Sequence, residues 1–296
     1  MIVRAALVIA VIVAPLSLAH SQGAFPSKCP DGASLPFAKI EVSHPIDSSC
    51  SRLTGDPSVG DPSHLQNAVK NNFCATPLTP ETYNLQQLVK LQADAVEKHV
   101  SFGFEHEPTS RDVVHSLGEG TLIRVKASLI EAHFADVPDG ESVNCYKPNN
   151  EDNDIHIALG LSTDTEECSS VSAEISPHYR PETWSSIGDF ETQKSKKYIP
   201  NPAIASRLQA ATYRITGQLF FDGSHKPCTC DITKCNGNPR RATNWEIHPV
   251  YNIEVCRAGT ACDENDDNDW LAFDTWWKHL SPAHVPPVHE HPKEKE

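Results

Sequence analysis

Five stretches of this chain alternate apolar and polar residues so regularly that they leave little choice of fold class. They are residues 121–132 (TLIRVKASLIEA), 154–159 (DIHIAL), 170–175 (SVSAEI), 213–222 (YRITGQLFFD) and 245–256 (WEIHPVYNIEVC). Successive side chains of a strand point to opposite faces, so each stretch has one apolar and one polar side. A strand with one wet side belongs to an antiparallel sheet, because strands of a parallel sheet are covered on both faces. The expectation is one antiparallel sheet, closed or nearly closed. Gly217, in the fourth stretch, supplies the bulge or bend that a small barrel needs.

Residues 181–209 separate the third and fourth stretches and run into a helix signal over 202–211. Five strands with a helical connection between the third and fourth resemble the oligonucleotide/oligosaccharide-binding (OB) fold. The resemblance covers residues 120–256 and is one of pattern and order. It implies a mainly β, α+β chain with a helical N-terminal extension and an OB-like five-stranded antiparallel barrel. In an OB order taken to put the first strand between the second and fifth, the polar pairs on those two strands would stand a strand apart. The segments LQNAVKNNFCA, DIHIAL and WEIHPV resemble those of exported bacterial proteins, which implies an origin and no mechanism.

The chain opens MIVRAALVIAVIVAPLSLAHSQ, with Arg4 before an apolar run and a small-x-small step at Ser17-Leu18-Ala19. This is the pattern of a secretory signal peptide, and the run is too short to span a bilayer comfortably. Ten cysteines follow it: Cys29, Cys50, Cys74, Cys145, Cys168, Cys228, Cys230, Cys235, Cys256 and Cys262. An even number in an exported chain points to disulfides and to a secreted or periplasmic location. The tight group Cys228, Cys230 and Cys235 has a zinc reading as well, but no second pair answers it. The expected organisation is a signal peptide over 1–19, a Cys-containing helical and irregular region over 25–107, the barrel over 120–262, an acidic turn and C-terminal helix over 263–280, and a structureless tail over 281–296 whose histidines bind metal weakly at most. The C-terminal helix is expected to dock Trp270, Phe273 and Trp277 on the barrel.

Two helices are expected in the N-terminal region. Asp61 and Pro62 open the first, with Leu65, Ala68, Val69 and Phe73 on one face. Thr79, Pro80 and Glu81 open the second, with Leu85, Leu88, Val89 and Val96 in a stripe. Both stripes read as faces packed on the core.

The formal net charge of −14 argues against nucleic acid as a partner, since such binding rests on Lys and Arg at phosphates. No G-x-S-x-G, H-E-x-x-H, Walker or G-x-G-x-x-G pattern occurs. The function expected is therefore an exported binding or interaction module for a small molecule, glycan or protein, with no membrane span. The alternative is a metal-assisted hydrolase, with a divalent metal as cofactor, so enzymatic activity stays open.

Two groups of residues are candidates for a site. Asp263, Asn265, Asp267, Asp269 and Asp274 are spaced like an EF-hand calcium loop, although Asn268 stands where that loop has glycine. The second group is Asp154, His156, Glu174, Arg214, Glu246 and His248, on the polar sides of four strands, with Asp222 and His225 at the end of the fourth. Carboxylates and imidazoles together make metal sites or acid-base pairs. The plainer reading is a solvated sheet face with surface ion pairs.

Overall fold

A computed structural model describes residues 50, 63–72, 79–100, 102–103, 111–135, 140–181, 183–184, 202–231 and 234–279. The expected signal peptide, Cys29, Cys74, Phe73, the Asp61-Pro62 start signal and the expected tail lie outside them. The barrel strands are β2 (Leu122–Phe134), β3 (Ile155–Gly160), β4 (Val171–Ile175), β5 (Tyr213–Phe221) and β8 (Trp245–Cys256). They fall on the five alternating stretches to within about two residues. Before β2 come α1 (Ser63–Lys70), β1 (Glu81–Tyr83), α2 (Leu85–Glu97) and α3 (Asp112–Ser116). Helix α4 (Pro202–Gln209) connects β4 to β5, the hairpin β6 (Lys226–Cys230) and β7 (Cys235–Asn238) lies between β5 and β8, and β9 (Trp270–Ala272) and α5 (Phe273–His279) follow.

The barrel closes in the order β2-β3-β4-β8-β5 and back to β2. Closure depends on β2, whose first half, Leu122 to Ala127, pairs with β5 while Ser128 to Phe134 pairs with β3. A bulge between Leu129 and Glu131 bends it between the two. The sheet is mixed, which corrects the antiparallel expectation: β4 runs parallel to β8, with Ala173 opposite Ile247, and β1 runs parallel to β2. The strand between the second and fifth is therefore the third and not the first.

Gly217 sits where the β5–β8 register shifts, and a Cβ there would lie 2.6 Å from the Pro249 carbonyl oxygen and closer still to the Ile247 side chain. Inside the barrel the apolar sides of the strands meet, with Ile155, Ile157, Ala173, Ile175, Ile215 and Ile247 in one buried cluster.

The second helix starts later than the Thr79-Pro80-Glu81 signal. Asn84 accepts from the Gln87 N–H at 2.9 Å while the Gln87 side chain accepts from the Asn84 N–H at 2.7 Å. This capping box sets the start, and residues 81–83 pair with β2 instead. Of its stripe, Leu85 and Leu88 are buried but Val89 and Val96 are exposed; Ala95 takes the third core position.

Helix α1 is the larger correction. Leu65 and Ala68 face outward, while Gln66, Asn67 and Lys70 are buried, as is Asn71 just beyond the helix. The C-terminal residues dock as expected. Trp270 and Phe273 are buried and Trp277 packs against the core, although Trp270 belongs to β9, paired with β8.

All eight described cysteines are bridged, in the pairs Cys50–Cys145, Cys168–Cys228, Cys230–Cys235 and Cys256–Cys262. The zinc reading of Cys228, Cys230 and Cys235 thus gives way to disulfides, and four bridges are the mark of an oxidising, extracellular-type environment. No helix among the described residues is long and apolar enough to cross a membrane.

Candidate functional site

Strand pairing decides which polar residues meet. His156 on β3 lies opposite Glu174 on β4. Because Ala173 is opposite Ile247, Glu174 also comes beside His248 on β8. These side chains alternate with the core residues Ile155, Ala173 and Ile247, so they point away from the barrel interior. The face they form is nonetheless covered. Asp154, Glu174, Glu246 and His248 are all buried, and α1 lies across them with its polar side down, its Lys70 Nζ 3.6 Å from Glu174 Oε2. That polar floor explains why α1 turns its apolar residues outward, since a buried carboxylate needs a charged or hydrogen-bonding partner. The expectation of a solvated face with surface ion pairs is corrected accordingly.

At the centre is His248, 0% exposed. Its Nδ1 is 2.7 Å from Glu174 Oε2 and 3.5 Å from Glu246 Oε1, and its Nε2 is 3.5 Å from Asp154 Oδ2. None of these approaches has the alignment of a hydrogen bond, so both ring nitrogens, Asp154 Oδ2, Glu174 Oε2 and Glu246 Oε1 are buried without one. Asp154 Oδ1 accepts from Asn144 at 3.1 Å, and Glu141 Oε2 accepts from the Asp154 N–H at 2.8 Å. His156 Nε2 stands 3.4 Å from Glu141 Oε1 and 3.6 Å from Glu174 Oε1, on the less buried side of the group.

The charges adjust to one another. Burial works against the His248 cation, but Glu174 and Glu246 outweigh it and lift the imidazole to about 10. Burial opposes His156 in the same way, and Glu174 and Glu141 raise it to about 9. Burial and the neighbouring Glu141 push Asp154 up to about 7. Burial would raise Glu174 too, but His156, Lys70 and His248 hold it well below the usual carboxylate range. Lys70 gains more from Glu174, Asp222 and Glu246 than burial takes from it.

A second group adjoins the first through Glu246. Arg241, also buried, bridges Glu246 Oε2 and Asp222 Oδ2, the latter at 2.6 Å. Asp222 Oδ2 is also 2.6 Å from His225 Nδ1, while its Oδ1 accepts from the Ser224 hydroxyl, the Ser224 N–H and Gln66 Nε2. Asp222 and His225 therefore connect to His248 indirectly, through Arg241 and Glu246. Phe220 stands between His248 and a buried Arg111–Glu119 pair, its ring 5.6 Å from that of His248 and 5.2 Å from the Arg111 guanidinium, while Gln66, accepting from Arg111 Nη1 at 3.3 Å and donating to Asp222 Oδ1 at 3.2 Å, links that pair to the second group.

Arg214 belongs elsewhere. It pairs with Glu254 at 2.7 Å and with Asp267 at 2.8 Å, beside the acidic turn. In that turn Asp263 accepts from the Asn265 N–H, Asp269 from the Asp263 N–H and Asp266 from the Asn268 N–H. Of the calcium candidates, Asp263 and Asp269 accept bonds within the turn, Asn265 accepts from the Thr82 hydroxyl at 2.9 Å, Asp267 pairs with Arg214, and Asp274 lies in α5. Among the described residues, donor atoms converge within 4.8 Å in two groups only, Glu141–His156–Glu174 and Asp154–Glu174–His248.

Sequence reasoning missed Lys70, Glu141 and Arg241. Glu141 and Arg241 come from loops and Lys70 from a helix whose apolar stripe misled, so no alternation could mark them.

The chain matches no protein-family profile, no curated protein and no solved structure.

Proposed function

We infer that this is an exported, OB-like binding module whose ligand contacts lie at the water-accessible rim of the outer β3–β4 face and on the two flanking loops. One observation carries the reading: Glu141 from the loop before β3, His156 and Glu174 from β3 and β4, and Asp222, His225 and Arg241 from the segment between β5 and β8 form one connected polar group. The corresponding strands and loops of OB barrels hold oligosaccharides and oligonucleotides. Glu141 and His156 on one edge and His225 on the other are the parts of this group with access to water. Carboxylates and imidazoles suit hydroxyl or ammonium donors, and the net charge of −14 disfavours polyanions. The ligand class is a neutral or cationic glycan or small polyol acting outside the cytoplasm, secreted or periplasmic. The bacterial origin implied by the sequence resemblance belongs to the same reading.

The test is an NMR titration of the labelled protein with neutral and amino-sugar oligosaccharides. Shift changes are expected within residues 140–156, around Glu174 and within 222–246, and Glu141→Gln should weaken them. Changes centred on the acidic turn at 263–269, or none across the panel, would overturn the assignment.

A further inference from the structure

We propose that Asp154, Glu174 and His248 form a buried divalent-cation site, of the nitrogen-and-oxygen kind that zinc or manganese occupies, with Lys70 as the resident charge that a bound cation displaces. Several atoms at this site lack what burial demands. Buried polar groups are almost always hydrogen-bonded, yet Asp154 Oδ2, Glu174 Oε2 and both nitrogens of His248 have no aligned partner. They are not scattered: one donor atom from each residue falls within 4.8 Å of the others.

The spacing fits coordination on the Nε2 side of His248, whereas Glu174 Oε2, 2.7 Å from Nδ1, sits at ion-pair distance and has to swing to join the set. Ligands held about 2.1 Å from zinc in a tetrahedron stand about 3.4 Å apart, and Asp154 Oδ2 lies 3.5 Å from His248 Nε2. Glu174 approaches from the Nδ1 side and has three rotatable bonds with which to complete the set. Its other oxygen faces His156 and Glu141, the less buried wall of the group, which gives a cation a route in. Orientation of the ligands is provided from behind: Asn144 donates to Asp154 Oδ1 at 3.1 Å, and Glu246 stands 3.5 Å from His248 Nδ1. Such outer contacts fix the aim of a metal ligand.

Lys70 is the telling neighbour. Its ammonium reaches Glu174 Oε2 at 3.6 Å from a helix that buries its polar side for the purpose. Beside the His248 and His156 cations, its charge offsets carboxylates that a divalent ion would bind more strongly; an ion that takes His248 Nε2 releases that ring's proton and competes with the ammonium for Glu174.

The experiment is calorimetric titration of the metal-stripped full chain with Zn²⁺ and, separately, Mn²⁺, with circular dichroism to verify folding. The near-isosteric Asp154→Asn should weaken binding by more than about a hundredfold, beyond the loss typical of outer-shell changes. His248→Gln should do the same, and His156→Ala should leave binding within about threefold. Lys70→Met should tighten it at least about tenfold, since a like charge is removed at close range; no unfolded variant can produce that gain. Weak binding to the C-terminal histidines cancels in the difference between wild type and Asp154→Asn. Equal binding by those two proteins, loss in His156→Ala with none in Asp154→Asn, or no gain in Lys70→Met would overturn the proposal.

Discussion

Arg241→Ala should be among the most damaging single substitutions in this protein. The guanidinium is 1% exposed and ties together two carboxylates that are themselves buried, Asp222 and Glu246. Their fates differ once it is gone. Asp222 keeps the Ser224 N–H at 2.9 Å, His225 Nδ1 at 2.6 Å and Gln66 Nε2 at 3.2 Å. Among the described residues, Glu246 keeps the approach of His248 Nδ1 at 3.5 Å and the charge of Lys70, and no aligned hydrogen bond on Oε1. Removing one partner of a buried ion pair costs about 3–5 kcal/mol, because the other charge is left uncompensated. Most of the loss should therefore come from Glu246, and we expect about 4 kcal/mol in urea unfolding with the disulfides intact. At about 2–4 °C per kcal/mol for a domain of this size, the melting temperature falls by about 10 °C. Adding Glu246→Gln to Arg241→Ala removes the stranded charge and should recover at least about 1 kcal/mol. A loss below about 1 kcal/mol in the single variant, or no recovery in the double, would show that the pair does not carry stability in this way.

Removing the Cys50–Cys145 bridge by Cys50→Ser with Cys145→Ser opens a loop spanning 95 residues, worth about 4–5 kcal/mol in the chain-entropy picture. It should also speed hydrogen exchange in residues 63–72, because Ser142, close to the bridge, contacts Asn67 of α1; unchanged exchange would mean that α1 is held independently. Gly217→Ala places a methyl against Pro249 and Ile247 and should cost about 1–3 kcal/mol in thermal unfolding; a neutral result would show that the strands can part there. Burial would raise Asp222, but Arg241 and His225 hold it well below the usual carboxylate range. Its contribution is thus complete above an unfolded value of about 3.9 and is lost as pH falls through the lower folded value. Stability should decline steeply only below about pH 4 on this account, and Asp222→Asn should flatten that limb; an unchanged acid limb would reject the assignment.

Alternation made the five barrel strands and the polar identity of the outer β3, β4 and β8 residues legible, because a pleated strand separates its two sides with a period of two; Gly217 marked the bend, and a separate signal over 202–211 the helix before β5. The even cysteine number likewise announced disulfides. Alternation says which side chains leave the core, but it does not say what then covers them. Tertiary structure decided that His248 and Glu174 are buried, since α1 turns Lys70 onto Glu174, and Gln66 onto the adjoining Asp222, against the direction of its own apolar stripe. It decided the parallel β4–β8 pairing that sets Glu174 between His156 and His248, because strand order is fixed by closure of the whole sheet and not by any one strand. It also delivered Glu141 and Arg241 from loops, where no period exists to announce them, and sent Arg214 to Glu254 and Asp267. The sequence by itself determined the barrel and the chemical kinds of residue on its outside; only the packing of distant segments turned those residues into one buried, charge-coupled group.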